Sequence, residues 1–475
     1  MKPAFRDRLA HAVQALTGRN AATVDTAGMP VLTPLQPVDL RDNETVGEVL
    51  EVAMKVGEVL LDSGTGAVDT EAQVRYVAAT YGIDDVTVSV TYNAITVSVQ
   101  RGRGLPPSTY IRMVSHRSLD YTRLSQVDTL VRRIGRGRIR PDQALAALES
   151  IMTAGHPYPR AVATFGWALM AGALTLLLGG TPVLAAVAFV STAIIYAVNV
   201  RLSQWGLPYF FQQVVGGFLA TLPAALIYRL SVEYGWDVQP YRVIVAGIIV
   251  LMAGLSLVGS VQDAITGAPV TGAARFFEVV VFTGGVVAGV GMALSVTAQL
   301  GATLPPLQQQ PFDYAPLPIF VASSGVAAAA FALAGYAQLR ALTASFLAGC
   351  AGALVAGSVL NLGLGPIVSS TVAATVVGLA GGLLARRAVV PPLIVAVAGI
   401  TPLVPGLAVY RGLSELMEGQ TTSALTNMAT ALTVGCALAA GVTLGEWVAR
   451  TLRRPQLPPN LRPHIGGITF RRVRD

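Results

Sequence analysis

The sequence predicts a polytopic α-helical membrane protein with ten spans, arranged as two inverted five-helix repeats behind a small cytoplasmic α+β domain. Three observations predict it. Only 12 % of the 475 residues are charged and 53 % are hydrophobic, with a mean hydropathy of +0.59, whereas a soluble globular chain carries about 25 % charge. The charge is confined, since residues 1–157 read as ordinary soluble sequence and 158–449 are almost uncharged. Finally, a membrane-helix motif occurs twice. Val243-Ile-Val-Ala-Gly-Ile-Ile-Val-Leu-Met-Ala-Gly-Leu255 aligns without gaps on Val395-Ala-Val-Ala-Gly-Ile-Thr-Pro-Leu-Val-Pro-Gly-Leu407, 152 residues on, with eight of thirteen positions identical. The same offset pairs Gly267 with Gly419, and Ala288-Gly289-Val290 with Ala440-Gly441-Val442. Chance identity in such sequence is about one position in ten, so the motif is a repeat. Two related halves that rock around a shared midplane site are the architecture of a secondary transporter.

The elements follow in order. Residues 1–42 are polar, with Pro34 and Pro37, and read as disordered apart from a short amphipathic stretch at 5–16. Lys2, Arg6, Arg8 and Arg19 without an apolar core give no secretory signal. Residues 43–157 form the α+β domain. Val46, Val49, Leu50, Ala53, Val56, Val59 and Leu60 recur at helical spacing, and Ser63-Gly64-Thr65-Gly66 stops that helix. Thr70 and Gln73 suggest a capping box for a second helix ending at Gly82. Val86, Val88 and Val90, then Ile95, Val97 and Val99, alternate around Tyr92-Asn93-Ala94 as a hairpin. A third strand is expected at 110–114, with helices near 122–135 and 141–154.

Gly155-His-Pro-Tyr-Pro159 marks the boundary with the membrane region. A span needs about 20 apolar residues. Candidates lie at 160–178, 182–200, 208–230, 241–260, 276–299, 318–337, 340–360, 366–385, 390–410 and 424–449. The first repeat is 158–303, a Pro-rich linker occupies 304–318, the second repeat is 319–450, and 451–475 is a basic tail. An odd number of spans per half inverts the second half relative to the first. With the α+β domain cytoplasmic, inner loops carry Arg201, Arg275, Arg340, Arg386 and Arg387, and outer loops carry Arg229, Arg242 and Arg411. The seven arginines from Arg450 to Arg474 put the tail inside as well. That flank also accounts for the net charge of +7, which leaves no case for nucleic acid. Cys350 and Cys436 fall in apolar segments without metal or disulfide spacing, and neither metal nor cofactor is expected.

Candidate site residues fall in three places. Gln262-Asp263 through Glu278, between the fourth and fifth spans, is polar, broken by Gly and Pro, and holds Asp263, Thr266, Arg275 and Glu278. Backbone freed at such breaks is tolerated only inside protein or against water, and can ligate a solute. Thr401, Pro402, Pro405 and Gly406 break the ninth span inside the repeated motif. Lone polar residues in apolar segments are Asn199, Gln212, Gln213, Asn361, Asn427 and Glu446. Asp263 and Glu278 are the proton-coupling candidates. Arg275 or a half-helix N-terminus suits a substrate carboxylate, Asp263, Glu278 or the freed carbonyls near Pro402 and Pro405 suit an ammonium, and Thr266, Thr401 or Asn427 suit a hydroxyl. A hydrolytic reading of Ser63 with His116 has no supporting motif.

These motifs also resemble a known family. Leu60-Leu61-Asp-Ser63-Gly64, Gln73-Val74-Arg75, Gly206-Leu-Pro208 through Gln212, Val215-Gly216-Gly217-Phe218 through Pro223, Gln262 through Glu278, Gly381 through Arg387 and Gly399 through Gly406 resemble the threonine/serine exporters of the inner membrane, over roughly 38–454. The resemblance implies export of threonine and serine driven by the proton-motive force. Relatives built as two chains, some associated with dicarboxylates, make dicarboxylate export the alternative substrate reading; a membrane-anchored hydrolase is the other. The expected partners are a small solute, protons and the lipid bilayer, with a homo-oligomer allowed.

Overall fold

The computed structural model describes residues 42–100, 107–114, 119–137, 139–235, 241–251, 254–299, 315–385, 390–417 and 419–453. The expected disordered segment, nearly all of the Pro-rich linker, His116 and most of the basic tail lie outside these residues.

Helix α1 (Asn43–Asp62) starts where Asp42 accepts the Glu44 amide at 3.1 Å. The Thr45 hydroxyl and that amide hold the Asp42 carboxyl below the usual aspartate range. The apolar stripe Val46, Val49, Leu50, Ala53, Val56 and Leu60 is fully buried and packs on the other helices of the domain and on the sheet. Strands β1 (Val86–Thr91), β2 (Ala94–Val99) and β3 (Ser108–Met113) form an antiparallel sheet in the order β1-β2-β3, with Val90 opposite Ile95. The third strand begins two residues earlier than its alternation suggests. Helices α3 (Tyr121–Ile134) and α4 (Pro141–Thr153) complete the unit.

Helix α2 (Ala67–Thr80) corrects one expectation. Thr70 and Gln73 are not its cap: the N-cap is Gly66, which has no side chain to offer, and the Thr70 hydroxyl donates to the Gly66 carbonyl within the first turn. The cap comes from elsewhere in the chain, as described below.

The membrane region contains α5 (Arg160–Leu177), α6 (Pro182–Gln204), α7 (Tyr209–Tyr234), α8 (Tyr241–Leu251), α9 (Gly254–Thr266), α10 (Pro269–Gln299), α11 (Leu317–Ala334), α12 (Leu339–Asn361), α13 (Pro366–Ala385), α14 (Pro392–Ile400), a 3₁₀ turn (Thr401–Leu403), α15 (Gly406–Met417) and α16 (Thr421–Arg453). Among the described residues, eight of these are long and apolar enough to cross a membrane: α5, α6, α7, α10, α11, α12, α13 and α16. The protein is therefore a multi-pass α-helical membrane protein. The fourth and ninth expected spans are each described as two shorter helices, α8 with α9 and α14 with α15.

The packing is regular. α5 packs on α6, α6 on α7, α7 on α8, and α8 on both α5 and α6; α9 packs on α10, and α10 on α7. Every one of these pairs has a counterpart six helices later: α11·α12, α12·α13, α13·α14, α14·α11, α14·α12, α15·α16 and α16·α13. The two sets meet through α5·α11, α9·α16 and α8·α15. Close approach rests on glycine. A Cβ on Gly289 of α10 would lie 2.0 Å from the Val214 carbonyl of α7, and one on Gly441 of α16 would lie 2.5 Å from the Thr371 carbonyl of α13. Backbones this close replace the hydrophobic drive that lipid removes.

Candidate functional site

The stretch expected as a polar loop is a tight helical hairpin. α9 runs to Thr266, Gly267 turns the chain at φ +113°, and Pro269 opens α10. The helices cross at Gly272, where a Cβ would stand 2.6 Å from the Ser260 carbonyl. This crossing brings Asp263 and Arg275 together: Arg275 Nη1 lies 2.6 Å from Asp263 Oδ2, with the two side chains 4 % and 1 % exposed. Asp263 has a second partner. Its Oδ1 accepts the backbone N–H of Ala67 at 2.9 Å. The missing cap of α2 is thus a carboxylate 196 residues away, set against the positive end of that helix.

The α+β domain is held at further points around this one. The Tyr92 amide donates to Thr271 Oγ1 at 3.1 Å, and that hydroxyl reaches the Val90 carbonyl at 3.4 Å. Arg450, near the end of α16, pairs with Asp69 in the first turn of α2 at 3.1 Å. The Tyr121 amide donates to the Gly335 carbonyl at 2.9 Å, the Thr122 hydroxyl to the Tyr336 carbonyl at 2.5 Å, and Tyr158 to the Ala337 carbonyl at 3.1 Å. His156 stacks on Tyr336 with ring centroids 4.1 Å apart. Burial pushes the Tyr121 phenol well above its ordinary range. The domain therefore grips the α9–α10 hairpin, the α11–α12 turn and the end of α16 together.

The second hairpin repeats the first. α15 ends at Met417, Gly419 turns the chain at φ +76°, and α16 opens at Thr421. Its helices cross at Gly412, where a Cβ would meet the Ala424 carbonyl at 3.1 Å. Asn427 Nδ2 donates to Glu415 Oε2 at 2.7 Å. Adding 152 to Asp263 gives Glu415, to Arg275 gives Asn427, to Ser260 gives Gly412, and to Gly267 gives Gly419. The same offset carries the starts of α9 and α10 onto those of α15 and α16. Glu415 was not among the residues singled out from the sequence, yet the repeat offset applied to Asp263 points straight at it.

The break in the expected ninth span has the form its prolines dictate. The Thr401 hydroxyl donates to the Val397 carbonyl at 2.9 Å, the 3₁₀ turn follows, Val404 is extended, and α15 restarts at Gly406. Thr401, Pro402 and Gly406 are buried and Pro405 is half-buried. The turn packs on α11, α12 and α14. It begins nine residues into the segment that starts at Pro392, about 14 Å along a helix.

The other candidates are more ordinary. Thr266 is exposed and its hydroxyl donates back to the Gln262 carbonyl at 2.9 Å. Glu278 is half-buried on α10. Gln212 caps its own turn by donating to the Leu207 carbonyl at 2.7 Å. Ser63 is buried and donates to the Val59 carbonyl at 2.7 Å, as part of the α1 terminus rather than as a nucleophile. Among the described residues, no group of three or more His, Cys, Asp or Glu side chains is placed to hold a metal ion.

A family model described as "putative threonine/serine exporter" matches residues 51–297, and a second, described as "threonine/serine exporter", matches residues 320–448. The chain belongs to the threonine/serine exporter family. It is similar to a threonine/serine exporter of Corynebacterium glutamicum, 43 % identical over 94 % of this chain and 91 % of the relative. It is also similar to a "probable threonine/serine exporter" of Mycobacterium tuberculosis, 36 % identical over 89 % of this chain and 82 % of the relative. No solved structure matches the chain. Membership makes this exporter-family chain a transporter rather than an enzyme, and the two model matches leave between them the residues that contain the Pro-rich connection.

Proposed function

We propose that this chain exports threonine and serine, driven by the proton gradient, through a site between two inverted five-span halves. The observation that carries the substrate is the likeness to the threonine/serine exporter of Corynebacterium glutamicum over nearly the whole length of both chains.

The arrangement of contacts supports ten crossings. The α9–α10 turn, the α11–α12 turn and the end of α16 all touch the α+β domain. Ten crossings bring all three to one side of the bilayer. If α8 with α9 did not cross, the α9–α10 turn would lie opposite the domain it touches. The matched helix pairs and the matched hairpins support the inverted repeat. Basic residues flanking the spans favour a cytoplasmic domain and tail.

The substrate site in this reading is the midplane break. Its zwitterionic substrate sets a carboxylate on the positive start of α15 at Gly406 and an ammonium on carbonyls freed by Pro402 and Pro405, with Thr401 reading the hydroxyl. Asp263 and Arg275 hold the inner hairpin, so they join the cycle by parting. Asp263 and Glu278 carry the proton, and Thr266 and Asn427 flank the two hairpins. Counterflow in proteoliposomes tests this. Threonine and serine should exchange and a dicarboxylate should not, and a protonophore should abolish uphill export. Dicarboxylate exchange without threonine exchange would overturn the substrate. Coupling that survives Asp263→Asn with Glu278→Gln would remove both residues from the proton path.

A further inference from the structure

A second site lies away from the transport path. A cleft of about 720 Å³ opens where α3 and α4 of the α+β domain meet the start of α12 and Pro391. Among the described residues, three arginines line it, Arg132, Arg133 and Arg340, and no aspartate or glutamate does. Arg132 is buried and paired with Asp128, while Arg133 and Arg340 are exposed. Ser125, Thr129, Ser150 and Tyr158 also line it, and the hydroxyls of Ser125, Thr129 and Tyr158 donate to the Tyr121, Ser125 and Ala337 carbonyls. The first turn of α12 contributes Gln338, Leu339 and Arg340, and its N-cap makes no side-chain bond. Helix starts carry partial positive charge. Cationic forks and a helix start, with no carboxylate among the described lining residues, are the chemistry that binds a phosphate group.

We propose that this cleft binds the phosphate of an anionic phospholipid headgroup from the leaflet on the side of the α+β domain. The choice of a lipid over a soluble phosphate rests on placement. α12 is long and apolar enough to cross a membrane, and Leu339, its first residue, is 73 % exposed beside the arginines. Leu130, Ile151 and Pro391 give the cleft an apolar floor against which glycerol and the first acyl carbons can lie. Anionic leaflets draw basic clusters at helix ends. The inference stands on this geometry and does not depend on the transported substrate.

The test uses the full-length protein in detergent micelles and measures lipid binding by native mass spectrometry and by thermal shift. The probes are phosphatidylglycerol, phosphatidylcholine and inorganic phosphate. Phosphatidylglycerol should bind in preference to phosphatidylcholine. Arg133→Gln with Arg340→Gln should weaken it by about tenfold or more, the effect of losing charge-assisted bonds. Ser150→Asp, which puts a carboxylate into the cleft at an exposed helical position and leaves all three arginines, should weaken it as well. Arg136→Gln, an exposed arginine outside the cleft, should leave binding unchanged. Inorganic phosphate binding that follows the same variants, with no preference between the two lipids, would overturn the lipid assignment in favour of a soluble ligand. Phosphatidylglycerol binding that survives both cleft variants, or that falls equally in Arg136→Gln, would overturn the site.

Discussion

Replacing Asp263 with alanine removes two interactions at once, and their cost can be worked out. Arg275 is left buried without its carboxylate, and breaking a buried pair in this way costs about 3–5 kcal/mol. The start of α2 loses the carboxylate that accepts the Ala67 amide, which Gly66 cannot replace, and this costs about 1 kcal/mol more. At about 1.4 kcal/mol per decade, the equilibrium between docked and released α+β domain shifts by about three to four decades toward release. Hydrogen exchange reads this directly. In full-length protein in nanodiscs, the amides of Ala67 and the first turn of α2 should exchange faster by a comparable factor, and those inside β2 should not change. Asp263→Leu with Arg275→Met removes both charges at similar bulk and should restore most of the protection, leaving only the lost cap. Unchanged exchange at α2 in Asp263→Ala would refute the docking role. Equal effects of the single and double substitutions would refute the charge argument, because a buried arginine deprived of the Asp263 carboxylate is what makes the single change costly.

Three further outcomes follow. Tyr121 is buried with no hydrogen-bond partner for its hydroxyl among the described residues, and its raised pKa means that folding favours the neutral phenol; its contribution is intact below the unfolded value of about 10 and is lost as pH rises through the higher folded value. Tyr121→Phe should therefore stabilise the protein by about 1 kcal/mol at neutral pH and lessen its thermal destabilisation above about pH 10, as read by scanning fluorimetry. Gly289→Leu and Gly441→Leu should each wedge a helix pair apart and cost 3 kcal/mol or more on the order-of-magnitude scale of core overpacking, seen as loss of a monodisperse peak in size-exclusion chromatography. Pro402→Ala with Pro405→Ala removes the obstacle to a continuous helix, which is on the order of 3 kcal/mol per proline; the protein should stay folded and lose threonine counterflow.

Much of the fold was legible because each element announces itself locally. The α1 stripe, the hairpin alternation and the long apolar runs need only their own residues to be read. What escaped was non-local. The cap of α2 is supplied by Asp263, and no pattern near Gly66 reveals it, so Thr70 and Gln73 offered a local substitute that the fold does not use. Asp263 and Arg275 were visible as a charged pair of residues, but whether they face water, a solute or protein depends on what covers them, and the covering domain belongs to a distant part of the chain. Asn427 stood out as a lone amide, while its partner Glu415 did not, because it falls in the connection between the expected ninth and tenth spans, where a glutamate is unremarkable.

The two hairpins share their turn, their crossing and their carboxylate, yet one pairs that carboxylate with arginine and the other with asparagine. Burial accounts for the difference. Asp263 lies beneath the α+β domain, and a carboxylate taken out of water that far needs a full counter-charge. Glu415 and Asn427 are both half-buried, and an amide donor suffices where water still reaches the ion. The two partners should therefore not be interchangeable. Arg275→Asn leaves Asp263 buried without a cation and should cost about 3–5 kcal/mol. Asn427→Arg adds a charge at a site with solvent access and should change stability by no more than about 1 kcal/mol in either direction. Thermal unfolding of the two purified variants measures the contrast. Similar losses in both would mean that the arginine answers to something other than burial, and would break the link between the covering domain and the charge beneath it.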